Sequence, residues 1–281
     1  MKLKSFLLTL FLVIGFYVCS DETRSWQLLD DAGQPIALLK EMLKSLDVEN
    51  DGSLDSIIKA TQKQWLQSGK ERWEFDPVFV KDESKTLAYL KAIGCIDSIR
   101  PKKKFYDYVC LQGATARRVQ ARLEFLVEEW NQGLRFKHLV VLTGKRRLDP
   151  RIETFPDGIE YETDMIRFLF ETSDLPEEIR HIPLEIVDAP AIQLENGKMR
   201  RPGRKETIVE WLKGHPKPGT CLMICNQPYI GYQDAVCRTE LPPNFVIETV
   251  GPEADQDTTF AQYLDNLARW LYTERNLKID F

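Results

Sequence analysis

The sequence predicts an α/β protein: a doubly wound, mainly parallel, five-stranded Rossmann-like sheet with a helical N-terminal extension. Short apolar runs with a β-branched bias alternate with amphipathic segments from Phe105 onward, whereas no strand-like alternation persists before that point. Strands that alternate with helices imply parallel pairing and right-handed crossovers, which place helices on both faces of a sheet. The predicted strands are residues 106–111, 138–142, 183–187, 220–225 and 244–250.

The chain divides into three predicted parts, which are a targeting segment (1–20), a helical cap (21–104) and an α/β domain (105–281). The cap is predicted from apolar residues at helical spacing, and we expect it to pack on the later domain. Within the cap, residues 47–55 match the start of a calcium-binding EF-hand loop. Because Ile58 stands where the bidentate glutamate is needed, we favour an ordinary polar turn between helices and predict no metal site.

The targeting segment has Lys2 and Lys4 followed by an apolar run, with a plausible cleavage site after Ser20. The run is short for a membrane span, which needs about 20 residues. We therefore predict an exported protein, periplasmic or secreted, that contacts a membrane only through this segment if it is retained as an anchor. Cleavage would leave five of the six cysteines, an odd number that does not suggest a disulfide framework and is better explained by buried thiols.

The overall charge limits the partners. A net charge of −5 argues against general nucleic-acid binding, which needs a basic face to displace counterions from phosphates. Any basic site must therefore be local, and no partner other than an anionic small molecule is indicated.

Basic residues collect just after the predicted strands, together with glycine and threonine. Because ligands of open parallel sheets bind at the carboxyl ends of the strands, these residues are the candidate site. Arginine forks and turn amides suit a phosphate or carboxylate, and the cofactor is left unknown because neither a dinucleotide fingerprint nor a Walker loop is present. The candidate ligand-binding residues are Gly113, Thr115, Arg118, Thr143, Gly144, Lys145, Arg146, Glu162, Asp188, Arg204, Glu206, Asn226 and Tyr229.

The histidines argue against two kinds of chemistry. His138 is predicted to open the second strand, and His181 and His215 precede the third and fourth, so all three are expected at the amino edge of the sheet. That placement disfavours a Ser-His-Asp hydrolase and a histidine-ligated metal centre. Acidic residues near the carboxyl edge are better explained as helix-start or surface charges than as catalytic bases, although Glu162 and Asp188 together could bind ribose hydroxyls or a divalent cation.

Several segments between residues 109 and 251 resemble the bacterial YdcF-like and SanA-like envelope proteins. The similar features are a first strand that ends in a glycine turn, a helix that carries Arg118 and Arg122, Thr143-Gly144-Lys145, the segment 161–165, Arg204-Lys205-Glu206-Thr207, and Asn226-Gln227-Pro228-Tyr229. The resemblance implies a Rossmann-like fold, a role in the envelope and nucleotide-like ligands such as S-adenosylmethionine. Glu162, Glu206 and Tyr229 match the family's motifs, whereas Ile230 and Gln233 replace its histidine and arginine.

Three hypotheses of function follow. The first is an exported, envelope-associated protein that binds a phosphate- or carboxylate-bearing, nucleotide-like small molecule at the carboxyl edge. The second is an enzyme acting on nucleotide sugars or cell-wall precursors, with Asp188 or Glu206 as base. The third is an interaction protein without a small-molecule site. No catalytic residue is assigned, because no proton-transfer residue is obvious at this edge.

Overall fold

The computed structural model describes residues 26–279, and the predicted targeting segment lies outside them. The N-terminal helices are α1 (Ala37–Ser45), α2 (Leu54–Trp65) and α3 (Glu83–Ala92), with a 3₁₀ turn at Arg72–Glu74 between α2 and α3. The α/β part follows as β1 (Phe105–Gln112), α4 (Ala116–Asn131), β2 (Arg135–Gly144), α5 (Glu162–Thr172), α6 (Glu177–Arg180), β3 (Leu184–Ala189), β4 (Ile192–Gln193), β5 (Met199–Arg200), α7 (Arg204–Leu212), β6 (Thr220–Ile224), α8 (Ile230–Glu240), β7 (Val246–Val250) and α9 (Phe260–Ile279).

The main sheet has five parallel strands in the order β3-β2-β1-β6-β7, which confirms the predicted fold class. The short strands β4 and β5 form a separate antiparallel hairpin within the long connection after β3, which the sequence pattern did not predict. The chain winds outward from β1 to β3 and then returns to place β6 beside β1. The strand order therefore reverses between β1 and β6, and a crevice is expected at their carboxyl ends.

Helices cover both faces of the sheet because side chains alternate along each buried strand. Val109 and Leu111 of β1 pack in the core formed with α4 and α5. Tyr108 and Cys110 of the same strand pack on the opposite face with residues of α7 and α8. The sheet is thus doubly wound, and the ends of β1 and β6 lie between the two helical layers.

The N-terminal helices share a hydrophobic core with the last helices of the chain. Leu39 of α1 and Ile57 of α2 are fully buried together with Leu267 of α9 and Ile230 of α8. This packing places the segment between α2 and α3 close to α9. We call residues 66–82 the strap.

One detail of the sequence prediction changes, and another is confirmed. His138 lies inside β2 and does not open it, because Phe105 pairs with Arg135 and extends the ladder toward the amino edge. The EF-hand-like loop is a helix–helix turn, in which Ser53 caps α2 by accepting a hydrogen bond from the Ser56 amide at 3.2 Å. In residues 26–279, no cluster of histidine, cysteine or acidic side chains could hold a metal ion. Over the same range, no helix has both the length and the apolar character needed to span a bilayer.

Candidate anion site at the carboxyl edge of the sheet

The carboxyl end of β2 carries a buried arginine that two glutamates neutralise. Arg146 Nε lies 2.5 Å from Glu162 Oε2, while its Nη1 and Nη2 donate to Glu153 at 2.6 and 2.9 Å. Thr143 Oγ1 donates to the other oxygen of Glu162 at 2.8 Å. Burial alone would lower the pKa of Arg146, but the hydrogen bonds and charges of the two glutamates outweigh it and raise the pKa above its usual value. We call Arg146, Glu153 and Glu162 the buried triad.

The loop after β2 brings the triad together by folding back on itself. The Glu162 amide donates to the Arg146 carbonyl at 2.9 Å, and Leu148 donates to the carbonyl of Glu160 at 2.9 Å. Glu153 also accepts from the Ala116 amide at 2.9 Å and so caps the first turn of α4. Both carboxylates are therefore occupied by the fold itself.

The glycines at this edge are required by close packing. A Cβ on Gly113 would lie 1.8 Å from Glu162 Oε1, and the Gly113 amide already donates to the Leu142 carbonyl at 2.7 Å. A Cβ on Gly144 would lie 2.2 Å from a side-chain carbon of Pro202. Neither glycine needs a left-handed backbone, so their role is to let neighbouring groups approach.

The remaining predicted residues near β2 and β3 are also paired. Lys145 Nζ lies 2.8 Å from Asp188, which accepts a second hydrogen bond from Thr163 at 2.7 Å. The hydrogen bond and charge of Asp188 raise the pKa of Lys145. Thr115 occupies the N-cap position of α4, but its side chain makes no capping hydrogen bond.

Glu206 is likewise engaged by the fold, at the start of α7. It accepts from the Gly203 amide at 2.7 Å and pairs with Arg200 at 2.9 Å. Burial would raise the pKa of Glu206, but these two contacts outweigh it and lower the pKa. Glu206 is therefore an ionised capping residue.

A different arrangement occurs between the carboxyl ends of β1 and β6, where the crevice is expected. Arg122 of α4 is 5% exposed, and its Nε donates to Asn226 Oδ1 at 2.6 Å. Its Nη1 donates to the carbonyls of Gln112 and Gly113 at the end of β1. Arg122 thus bridges the carboxyl ends of the two strands at the point where the strand order reverses.

Two more arginines lie against Tyr229, which follows β6. The guanidinium of Arg118 lies 4.9 Å from the centre of the Tyr229 ring, and that of Arg72 lies 3.9 Å from it. Arg72 belongs to the strap, so the N-terminal region contributes directly to this site. Tyr229 is 3% exposed, and its hydroxyl has no hydrogen-bond partner in the described part of the chain.

Arg204, the first residue of α7, completes the group. Its Nε donates to Gln233 of α8, whereas its Nη1 and Nη2 are inaccessible and have no partner among residues 26–279. The side-chain amide nitrogen of Gln112 is also buried without a hydrogen-bond partner in this part of the chain. Leaving a buried donor unsatisfied costs about 1–3 kcal/mol, and more when the donor is charged.

We call Arg72, Arg118, Arg122 and Arg204 the crevice arginines. Within residues 26–279, none of them has a carboxylate oxygen within 4.0 Å. Burial is the main cause that lowers the pKa of Arg122 to about 9, and the charges of Arg204 and Arg118 lower it further. Burial and neighbouring arginines lower the pKa of Arg72 in the same way. Within residues 26–279, the positive charge of the crevice therefore has no carboxylate in direct contact.

Comparison with known proteins adds no family to this geometry. No protein-family model matches the chain, and no match is found among curated proteins.

Ten of the thirteen predicted candidate residues fall into two groups, and Gly113, Thr115 and Glu206 belong to neither. Six lie around β2 and β3, where their side chains pair with one another and Gly144 allows close packing: Thr143, Gly144, Lys145, Arg146, Glu162 and Asp188. Arg118, Arg204, Asn226 and Tyr229 meet in the crevice instead.

Sequence reasoning did not include Arg72, Gln112 or Arg122 among the candidate site residues. Arg122 had a usable signal, because it lies one helical turn after Arg118 and interrupts the apolar stripe of α4. Gln112 had a weaker one, as the first residue after a predicted buried strand. Arg72 had none, because its segment is remote in sequence and carries no motif.

The strap is held over this edge by polar contacts on both sides of Arg72. Glu71 pairs with Arg201 at 2.9 Å, and Glu74 pairs with Arg151 at 2.8 Å. Gln262 of α9 donates to the Arg72 carbonyl at 3.3 Å. These contacts fix the position of Arg72 against Tyr229.

A separate hollow of about 490 Å³ opens beside the loop that follows β2, and it includes none of the crevice arginines. Its charged groups already have partners, since Glu153 pairs with Arg146 and Arg147 lies 3.7 Å from Glu160. Size alone therefore does not make this hollow the better anion site.

Proposed function

We propose that the protein binds a phosphate- or carboxylate-bearing small molecule in the crevice between the carboxyl ends of β1 and β6. The observation that carries the proposal is the set of crevice arginines, none of which has a carboxylate within 4.0 Å in the described part of the chain. The sheet topology supports the same location, because β1 and β6 flank the point where the strand order reverses.

An anion would correct the two costly features of this crevice. It would offset the burial of the Arg122 guanidinium and, to a smaller extent, its repulsion by Arg204 and Arg118, which together lower the pKa of Arg122. It would also offer acceptors to the Nη atoms of Arg204, the Gln112 amide and the Tyr229 hydroxyl, which have no protein partner among residues 26–279. Hydrogen bonds to ionised groups are about twice as strong as neutral ones, so these contacts favour a charged ligand.

The arrangement supports binding better than proton transfer. The enzyme hypothesis named Asp188 and Glu206 as bases, but Asp188 accepts from Thr163 and pairs with Lys145. Glu206 caps α7 and pairs with Arg200. Both carboxylates are therefore engaged in contacts within the protein.

The location of the protein belongs to the same proposal. The targeting segment predicted at residues 1–20 and the resemblance to YdcF-like and SanA-like proteins both support an exported, envelope-associated binding protein. The crevice supports the binding role independently of them.

Isothermal titration and thermal unfolding of the purified protein test the proposal. The ligands are phosphate, sulfate, citrate, a nucleoside monophosphate and S-adenosylmethionine, all at constant ionic strength. A ligand at a hundred times its Kd should stabilise the protein by about 2.7 kcal/mol. Arg204→Gln should weaken binding by about ten- to a hundredfold, because it removes charge-assisted hydrogen bonds.

Arg117→Gln is the matched control. Arg117 lies next to Arg118 on α4 but is exposed and pairs with Asp257 at 2.5 Å. Its replacement should leave affinity within about twofold, since exposed pairs contribute little. The proposal fails if none of the five ligands binds, or if Arg204→Gln and Arg117→Gln affect binding equally.

A further inference from the structure

We infer that the ligand is an oligoanion with two linked phosphate groups, a diphosphate rather than a monophosphate. This inference rests on the proposed anion site and specifies the ligand class. It follows from the number of uncompensated charges in the crevice and from the distribution of those charges over two centres.

The first centre surrounds Tyr229. Arg72 of the strap and Arg118 of α4 both lie within 4.9 Å of the centre of this ring. The Tyr229 hydroxyl has no protein partner in the described part of the chain. Two cations and a hydroxyl donor thus come together at one end of the crevice.

The second centre lies at the ends of β1 and β6. Arg122 contacts Asn226 and the carbonyl of Gln112, and the charge of Arg204 acts on the Arg122 guanidinium. The Nη atoms of Arg204 and the Gln112 amide nitrogen are unpartnered donors within residues 26–279. This centre therefore also has two cations and neutral donors.

The two centres are adjacent but distinct. The Tyr229 amide donates to the Asn226 carbonyl at 3.0 Å, so a single turn of chain separates the residues that mark them. Arg118 and Arg122 are likewise one helical turn apart on α4, which places their Cβ atoms about 5–6 Å apart. The two linked phosphate groups of a diphosphate can contact both adjacent centres. A single phosphate group can contact mainly one centre.

The charge balance favours the same ligand. Near neutral pH a monophosphate carries at most two negative charges and leaves two of the four guanidinium charges without compensation. A diphosphate with three charges leaves only one. Uncompensated charge in a partly buried site is costly, so affinity should rise with the charge of the ligand.

The Tyr229 ring is already covered, which limits how the rest of the ligand is recognised. The ring is 3% exposed and contacts the guanidinium groups of Arg72 and Arg118. A base or other flat group therefore cannot stack on it while these contacts persist. Recognition in the crevice should depend on the diphosphate itself.

Titration calorimetry at constant ionic strength, without divalent cations, tests the inference with phosphate, pyrophosphate and methylenediphosphonate. Pyrophosphate and methylenediphosphonate should bind at least about tenfold more tightly than phosphate, because each can make additional charge-assisted hydrogen bonds. The phosphonate analogue cannot be hydrolysed at its bridge, so agreement between the two excludes turnover as the source of heat.

Arg72→Gln and Arg118→Gln test the two-centre geometry. Each should reduce the preference for pyrophosphate over phosphate to about threefold or less, while Arg117→Gln leaves it unchanged. Equal affinity for phosphate and pyrophosphate would overturn the inference and leave the anion site standing, as would a preference that survives both substitutions. Failure of every anion to bind would overturn the anion site as well.

Discussion

The buried triad and the crevice arginines lie at the same edge of the sheet, and both depend on arginine. In the triad the arginine is paired with carboxylates, whereas in the crevice it is not. Arg146 in the triad meets two carboxylates at 2.5–2.9 Å, and every member of the triad is buried. The crevice arginines meet ring faces, amides and carbonyls, with no carboxylate within 4.0 Å in the described part of the chain. The first arrangement is closed, and the second is suited to an anion.

The difference shows that a basic cluster at the carboxyl edge does not by itself predict a binding site. What matters is whether the fold supplies the opposite charge. A guanidinium satisfied by two glutamates contributes to the folded state, whereas one without such partners raises the free energy of the unliganded protein. Substitutions in the triad should therefore reduce mainly stability, whereas substitutions in the crevice should reduce mainly anion binding.

The largest effect is expected for Arg146→Gln. Removing this cation leaves Glu153 and Glu162 buried without their partner, which should lower the free energy of unfolding by about 3–5 kcal/mol. Arg146→Lys should cost less, because it keeps the charge and loses only the bidentate fork. Guanidinium-induced unfolding measures both losses.

Arg204→Gln is the counterpart in the crevice. It removes a cation that has no carboxylate partner among residues 26–279, so the free energy of unfolding should fall by less than about 1 kcal/mol or should rise, while anion affinity falls. If Arg146→Gln proved harmless to stability, or Arg204→Gln as damaging as it, the contrast between the two regions would be wrong.

Gly113→Ala should have the next largest effect on stability. The added Cβ would lie 1.8 Å from Glu162 Oε1 and would displace this carboxylate from Arg146. Overpacking of this kind costs about 1–3 kcal/mol. The same substitution in a Glu162→Asp background should cost less, because the shorter side chain can withdraw. A double-mutant cycle of unfolding free energies measures the coupling, and strictly additive losses would show that Gly113 acts elsewhere.

Much of the fold could be predicted from the sequence. The alternation of buried strands and amphipathic helices is a local pattern, and its consequences for pairing and handedness are general. The hairpin β4–β5 was missed because each of its strands has only two residues, too few for a periodic signal.

The site could be predicted only in part. The residues after each strand were placed correctly at the carboxyl edge, but their division into two groups depends on charge pairing. Arg146 and Glu153 meet because an irregular loop folds back, and no periodicity marks such a contact. Arg72 contacts Tyr229 from a segment far away in the sequence, so only the tertiary structure brings it to the site.

A smaller effect is expected when pH changes. Burial lowers the pKa of Arg122 to about 9, well below its usual value, and a bound anion should raise it again. Anion affinity should therefore fall by about tenfold, or 1.4 kcal/mol, as pH rises from about 8 to 10, because Arg122 loses its proton in the free protein. Calorimetry in buffers of different ionisation enthalpy should show proton uptake on binding near pH 9.

The same pKa shift acts on stability with the opposite sign. The unfolded chain keeps the Arg122 proton to a much higher pH than the folded protein does, so above about pH 9 it binds more protons than the folded protein. The contribution of this group to the free energy of unfolding should consequently rise with pH over that range. An affinity that stays constant from pH 8 to 10, without proton uptake, would show that Arg122 remains charged in the free crevice.

The smallest effect is expected at the strap, whose ion pairs are exposed to solvent. Glu71 and Glu74 pair with exposed arginines on either side of Arg72, and exposed pairs are weak and sensitive to salt. Glu71→Gln and Glu74→Gln should therefore leave global stability unchanged and speed amide exchange in residues 66–82 by roughly two- to fivefold at low salt. Lys70→Gln is a suitable control, because Lys70 pairs with Asp76 inside the strap and does not tie it to the sheet. If the two glutamate variants exchanged no faster than this control, the position of Arg72 would depend on its contacts with Tyr229 and α9, and the strap would belong to the rigid part of the site.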